Sequence, residues 1–344
     1  MSRTRDLGKI ISGNFDVPAA SLDNVTRSNI SDLGTGALSN RNILINGNFR
    51  VSQRGNYTSA TAIGNTHTYY LDRWKSRANT VSGTLTHSTG YPFTRSLTAL
   101  LTATSTGTGY MQMDQLVETN YYQGQTLILS AWIKSNNSNA RIGCYTGTWS
   151  DAATHSGGGS WEKLSVSFTV GTGYATPLIR LGILSAGSWD VVGITSGDYI
   201  EVSEVQLEVG DTATPFEHRS YGDELAKCER YYERLSETNT TETLIGLGMM
   251  WGSSRCLINL KFNTEKRTNP TVSFSSSTSN HVEILNNSGW RGGTSLTGIA
   301  HQKGTRIDMT NISGATGDYT SGIAAEVRLN PAIVNPYIEF DAEL

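Results

Sequence analysis

Glu201–Arg234 reads EVSEVQLEVGDTATPFEHRSYGDELAKCERYYER. Val205, Leu207 and Val209 alternate with Glu204, Gln206 and Glu208, the two-residue period of a strand with one dry and one wet face. The pattern breaks at Gly210 and passes Pro215. It then places Leu225, Cys228, Tyr232 and Leu235 at three- and four-residue spacing, the apolar stripe of a short helix. Ser220 or Asp223 can cap that helix, and Asp223 and Glu224 sit near its positive end. A strand that closes one β-sandwich and a single helix that bridges to another is the expected plan. It divides the chain into residues 41–220, a connecting helix at 221–235, and a second, smaller β-sandwich over 236–344.

Working outward, other strands carry the same period. In TLILSAWIKS, Leu127, Leu129, Ala131 and Ile133 alternate with the rest. In KLSVSFTV, Leu164, Val166, Phe168 and Val170 point one way, and Lys163, Ser165, Ser167 and Thr169 the other. NILINGNF alternates weakly and carries an Asn-Gly turn signal at Asn46–Gly47. Beyond the helix, Ile258, Leu260 and Phe262 alternate with Leu257, Asn259 and Lys261. At the end of the sequence, Ile338, Phe340, Ala342 and Leu344 alternate with Tyr337, Glu339, Asp341 and Glu343. Many short strands with turn signals and no intervening helices indicate an antiparallel all-β protein. Residues 1–40 differ: Val17, Leu22, Val25, Ile30 and Leu33 stand singly among small polar residues and cannot build a core. They read as an extended N-terminal arm that orders against something else.

Composition agrees. Among 344 residues only 17% are charged, and 36 glycines far outnumber 7 prolines. The net charge of −3 and the absence of a basic stripe argue against nucleic-acid binding. Cys144, Cys228 and Cys256 are odd in number and far apart, so buried free thiols are expected, as in a protein folded in a reducing cytoplasm. The first residues show no signal peptide, and no apolar run is long enough for a membrane span.

Catalytic patterns are missing from the sequence. There is no G-x-S-x-G elbow and no H-E-x-x-H. The six histidines are scattered, and GTGY at Gly107–Tyr110 reads as part of a turn. Asp114, Glu118, Asp151, Glu162, Asp190 and Glu204 are the candidate carboxylates for glycosidic hydrolysis, a reaction that needs two of them to converge in space, which spacing along the chain does not show. The informative residues are aromatic. Trp149, Trp161 and Trp189 fall in or beside Gly/Ser-rich loops, with Asp151 and Asp190 next to two of them. A loop tryptophan beside a carboxylate can stack on a sugar face while the carboxylate accepts a hydroxyl hydrogen bond. The same residues could instead cap a sandwich edge or fill a subunit interface. Trp290 is a similar loop case, and Trp74 reads as core.

NILINGNFRVSQRG followed by YYLDRW resembles the opening of a jelly-roll domain of phage tail-fibre and other virion proteins, related in shape to carbohydrate-binding modules. VSEVQLEVGDTATPFEHRSYGDELAKCERYYER is similar to the segment that closes that domain and leads to a C-terminal β domain ending near DAEL. The resemblance covers about 42–235 well and the last 110 residues loosely. It implies a jelly-roll sandwich in a non-enzymatic, homotrimeric virion protein, made in the bacterial host cytoplasm, whose residues 1–40 dock it to other virion proteins. It carries over no catalytic or metal-binding residue. No cofactor is implied. A structural calcium, which such jelly rolls often hold, stays open, although Asp190, Asp198 and Asp211 show no ligand spacing. The expected role is a tail fibre or short fibre that recognises a host-surface glycan, with avidity from copy number. The alternatives are a capsid- or tail-decorating protein that binds only viral partners, and a glycan-degrading spike.

Overall fold

A computed structural model describes residues 40–89, 95–118, 121–146, 153–173, 176–185, 191–236, 243–276, 280–286, 289–312 and 321–343. The alternation in KLSVSFTV decides its strand as expected. Leu164, Phe168 and Val170 are buried, Val166 packs against the same core, and Lys163, Ser165, Ser167 and Thr169 are exposed. This strand, β10 (Trp161–Thr169), lies antiparallel to β7 (Thr126–Ser135), whose Leu127, Leu129, Ala131 and Ile133 are fully buried.

Around that pair an antiparallel jelly-roll sandwich assembles from two sheets. The six-stranded sheet runs β1 (Thr61–Ile63), β4 (Gly83–Thr89), β5 (Leu97–Ala103), β13 (Tyr199–Val209), β7, β10. The seven-stranded sheet runs β2 (Thr68–Leu71), β3 (Trp74–Asn79), β6 (Gly107–Leu116), β11 (Leu178–Ile183), β8 (Ala140–Tyr145), β9 (Ala153–Thr154). Its seventh strand, β12 (Val192–Ile194), pairs with β6. Gly107–Tyr110, expected in a turn, is the start of β6: Thr108 and Gly109 have ladder partners in β12, and Tyr110 in β3. Both sheets feed one core that includes Trp74, Met111, Met113, Ile142, Leu181, Val202 and Leu207.

Strand β13 departs from its expected alternation at one point. The register with β7 shifts between Ser203 and Gln206, and Glu204 has φ = 50°. This β-bulge changes the inward parity from Ile200 and Val202 to Val205 and Leu207. Val209, expected inward, is exposed. Gln206 and Glu208, expected in water, are buried because the chain after Gly210 folds back over them. The Thr214 hydroxyl donates to Glu208 Oε2 (2.6 Å), and the Glu217 N–H donates to Gln206 Oε1 (2.7 Å). Polar groups covered in this way stay satisfied, which keeps their burial from being a penalty.

NILINGNF is not a strand among the described residues, nor does its Asn-Gly form a hairpin turn. It lies as a coil on the β13 bulge. Ile43 N–H donates to Leu207 O (2.8 Å), Val205 N–H to Gly47 O (2.8 Å), and Leu207 N–H to Asn42 Oδ1 (3.1 Å). Gly47 is required by close approach, since a Cβ there would lie 2.0 Å from Val205 O.

The helix α1 (Tyr221–Glu229) starts at the expected Ser220 cap, whose hydroxyl accepts from Asp223 N–H (3.1 Å). It ends at Glu229, short of the Leu235 that the periodicity suggests. Tyr232 and Leu235 belong instead to β14 (Tyr232–Ser236), paired with β22 (Tyr337–Asp341). Long-range pairing with the end of the sequence overrides a helical spacing that two adjacent tyrosines support weakly. β17 (Thr271–Phe274) completes this three-stranded sheet.

The remaining strands do not form two facing sheets. β15 (Thr243–Met250), β16 (Cys256–Lys261), β20 (Gly304–Ile312), β19 (Gly289–His301), β18 (Val282–Asn286) and β21 (Ala324–Leu329) close into a barrel, with β21 pairing back to β15. The thirteen-residue β19 makes closure feasible: it pairs with β18 at its start and β20 towards its end, and carries Gly292, Gly293 and Gly298. Ile258, Val282, Ile307, Met309, Val327, Ile338 and Phe340 fill the second core. Asn42–Leu344 pack as one unit. Of the expected arm over residues 1–40, residues 1–39 lie outside the described residues.

Candidate functional site

The stretches that carried the resemblance meet in one place, where the sandwich, α1 and the end of the sequence adjoin. Asn46 is fully buried, and its side-chain amide donates to Val51 O (2.8 Å) and Asp72 O (2.9 Å) while accepting from Val51 N–H. The Trp74 indole donates to Asn46 O (2.9 Å), and Glu224 of α1 accepts from Asn46 N–H. Arg73, buried, pairs with Glu343, donates to Leu116 O (2.7 Å) and stacks 3.6 Å from the Tyr231 ring centroid. Arg54 pairs with Asp341 and Glu343 and stacks 3.5 Å over Tyr232. Burial pulls the Arg73 pKa down, but Glu343 and the flanking tyrosines outweigh it and raise it. Burial pushes the Asp72 carboxyl up to about 6, against two hydrogen bonds from Gln53. Arg54 and Arg73 both have acceptors and an aromatic face, so the cluster reads as structure rather than as a site.

The outward face of the seven-stranded sheet differs. Met111 and Met113 point into the core, so Tyr110, Gln112 and Asp114 point outward. Register then places Lys75, Asp114, Arg180 and Gly143 in one row, and Arg77, Gln112, Gly182 and Arg141 in the next. Gly143 and Gly182 leave a low floor between the long side chains. With strands about 4.8 Å apart, Arg77 and Arg141 stand roughly 14 Å across it. Gln112 and Asp114 are 1% exposed although they face away from the core. Gln112 Nε2 donates to Asp114 Oδ2 (2.9 Å), and His67 Nδ1 lies 3.1 Å from the same oxygen. Gln112 Oε1 and Asp114 Oδ1 are buried without a hydrogen-bond partner. Arg77 is held by Asn65 Oδ1 (2.9 Å) and lies 5.2 Å from the Tyr110 ring centroid. Burial lowers the pKa of Arg180, opposed by Asp114 and Tyr110, and burial lowers that of Arg141. Lys75, Arg77, Arg141 and Arg180 share these rows with Asp114 as the one carboxylate.

Of the residues read from the sequence as sugar contacts, Trp149, Asp151, Trp189 and Asp190 lie outside the described residues. Their flanks are informative. Ile183 pairs with Met111 and Val192 with Gly109, the residues on either side of Tyr110 in β6. On the other edge, Tyr145 ends β8 and Ala153 pairs with Ile142. Trp161 is elsewhere. It is half-buried at the start of β10, opposite Lys134, with the outward parity of Lys163 and Ser165 on the six-stranded sheet. The structure therefore separates Trp161 from the polar face.

The carboxylates considered for hydrolysis each have their own partners where they are described. Glu118 accepts from Arg230 (3.2 Å) and Tyr231, and Glu204 from Ser96 (3.0 Å). Glu162 is held low by hydrogen bonds from Ser156. Asp198 accepts from Asn137 Nδ2 (2.7 Å) and Thr195 N–H (2.9 Å), and Asp211 from Thr212 (3.0 Å), so both serve local turns. Among the described residues no group of three or more His, Cys, Asp or Glu could hold a metal ion. No helix of the described residues is long and apolar enough to cross a membrane. The three cysteines are buried and free.

No family model matches the chain, and no curated protein sequence matches it. Several solved structures align over about half of it. The enzymatically active domain of tailspike protein 4 from bacteriophage CBA120 aligns over 49% of this chain, at 16% identity and a TM-score of 0.33; this chain spans 22% of that one. TmCBM61, solved with β-1,4-galactotriose, aligns over 49% of this chain and 99% of its own, at 13% identity and a TM-score of 0.30. A family 11 carbohydrate-binding module from Clostridium thermocellum, solved with a mixed-linked tetrasaccharide, covers 44% and 95%, at 12% identity and a TM-score of 0.28. Likeness at this level does not define a shared fold or a shared ligand.

Proposed function

We propose that this chain is a non-enzymatic glycan-recognising protein of a bacteriophage particle, a tail fibre or short fibre that acts as a homotrimer in host adsorption. The observation that carries the glycan reading is the outward face of β3, β6, β11 and β8. It sets Arg77, Arg180 and Tyr110 around the buried Gln112–Asp114 pair, with Gly143 and Gly182 between the long side chains. A polyhydroxylated ligand supplies acceptors for guanidinium groups, and Tyr110 offers a ring to its apolar face. The placement on a virion rests on the resemblance of NILINGNFRVSQRG, YYLDRW and the 202–234 segment to virion proteins. Residues 1–40 would supply the attachment to other virion proteins, and trimerisation would multiply a weak contact.

The full chain on an array of bacterial surface glycans tests this. Binding is expected to at least one glycan and to fall about tenfold or more in R77A/R180A, the loss of about two charge-assisted hydrogen bonds. An array without a binder, or binding that the double variant leaves intact, contradicts the reading. A second reading, a decoration protein that binds only viral partners, draws on exposed Leu247, Met249, Trp251 and Ile323 on the barrel. Purified protein that adheres to particles but not to host cells would favour it.

A further inference from the structure

The barrel carries a notch that the sandwich reading does not use. A cavity of about 560 Å³ opens on its outside across β16, β20 and β19. Register explains it. Lys261, Gly304 and His301 form one outward row, and Asn259, Arg306 and Ile299 the next. Gly304, without a side chain, leaves the gap between Lys261 and His301, and Lys303 on the β19–β20 turn closes one end. The lining holds three permanent cations, Lys261, Lys303 and Arg306, and no carboxylate. Lys303 lies 3.8 Å from Glu265, both largely exposed, a pairing of little strength in water. Among the described residues, Lys261 and Arg306 make no salt bridge within 4.0 Å. Beside them Ile299 is 56% exposed. In a chain of net charge −3 this is a local inversion of sign.

We infer that this notch binds an acidic saccharide, a sugar carrying a carboxylate, independently of the sandwich face. The carboxylate meets the planar fork of Arg306 and the ammonium of Lys261, Asn259 and His301 hydrogen-bond ring hydroxyls, and Ile299 packs on the apolar sugar face. A nucleic acid fits less well: three cations in a short notch are few for a phosphate backbone.

The test uses the full chain and polygalacturonate as the probe, with dextran and a single-stranded oligonucleotide as comparisons, by affinity electrophoresis. Polygalacturonate is expected to retard the protein, dextran not to, and added salt to weaken the retardation. K261E/R306E, at two positions on the outside of the barrel, should lower the affinity at least about tenfold with unchanged melting, and I299A a few-fold. Three results overturn the inference: no retardation by polygalacturonate, retardation unchanged in K261E/R306E, or tighter binding of the oligonucleotide. None of these bears on the R77A/R180A outcome, so the two sites fail or stand separately.

Discussion

Arginines build both the junction and the outward face of the seven-stranded sheet, but the company they keep differs. In the junction, Arg54 and Arg73 have Asp341 and Glu343 as partners and tyrosine rings as lids. On the outward face, Lys75, Arg77, Arg141 and Arg180 share two rows with Asp114 as the one carboxylate, and two buried acceptors have no partner. The junction sets its arginines against an equal number of carboxylates, whereas the outward face sets four cations around one.

Substitutions sharpen this contrast. The largest expected effect is R73A, which leaves the buried Glu343 with Arg54 as its remaining guanidinium partner and frees Leu116 O. It should cost about 3–5 kcal/mol in chemical denaturation. A loss below about 1 kcal/mol would remove the junction from its structural role.

Next comes pH. Asp72 has its folded pKa raised to about 6. A raised carboxyl pKa means the folded state holds the proton more tightly than the unfolded chain. Its contribution is therefore present below about pH 4 and lost as pH rises through about 6. Against D72N, the wild type should lose on the order of 2–3 kcal/mol across that window. Parallel pH profiles for the two proteins would contradict the burial of that carboxyl.

A smaller effect is expected for T214V, which removes the hydroxyl that covers Glu208. About 1–2 kcal/mol should be lost in thermal or urea unfolding. The smallest is R77A/R180A, whose unfolding should stay within about 1 kcal/mol of wild type. A loss as large as that of R73A would make the outward face part of the scaffold.

Much of the fold was legible where one physical rule acts alone. KLSVSFTV and Tyr337–Asp341 alternate and form strands with the expected faces, and Ser220 caps α1 as expected. The misreadings arose where distant chain intervened. Gln206 and Glu208 look wet until Thr214 and Glu217 fold over them. Tyr232 fits a helical stripe until β22 takes it into a sheet. A barrel and a sandwich share the same alternation, so closure through β19 left no local sign beyond its glycines. The candidate face was partly visible in YMQMDQL, where Met111 and Met113 alternate with Gln112 and Asp114. What that pattern could not give was the register that puts Arg77 and Arg180 beside them. Tryptophans in loops drew the sequence reading instead, and Trp161 proved to face the other way.

The most direct test of the central claim is hydrogen–deuterium exchange on the full chain, with and without a saturating array-selected glycan. The account predicts slowed exchange in β3, β6, β11 and β8, with the junction unchanged. Protection centred on Trp161 and Lys134, on the junction, or nowhere in the sandwich would contradict it.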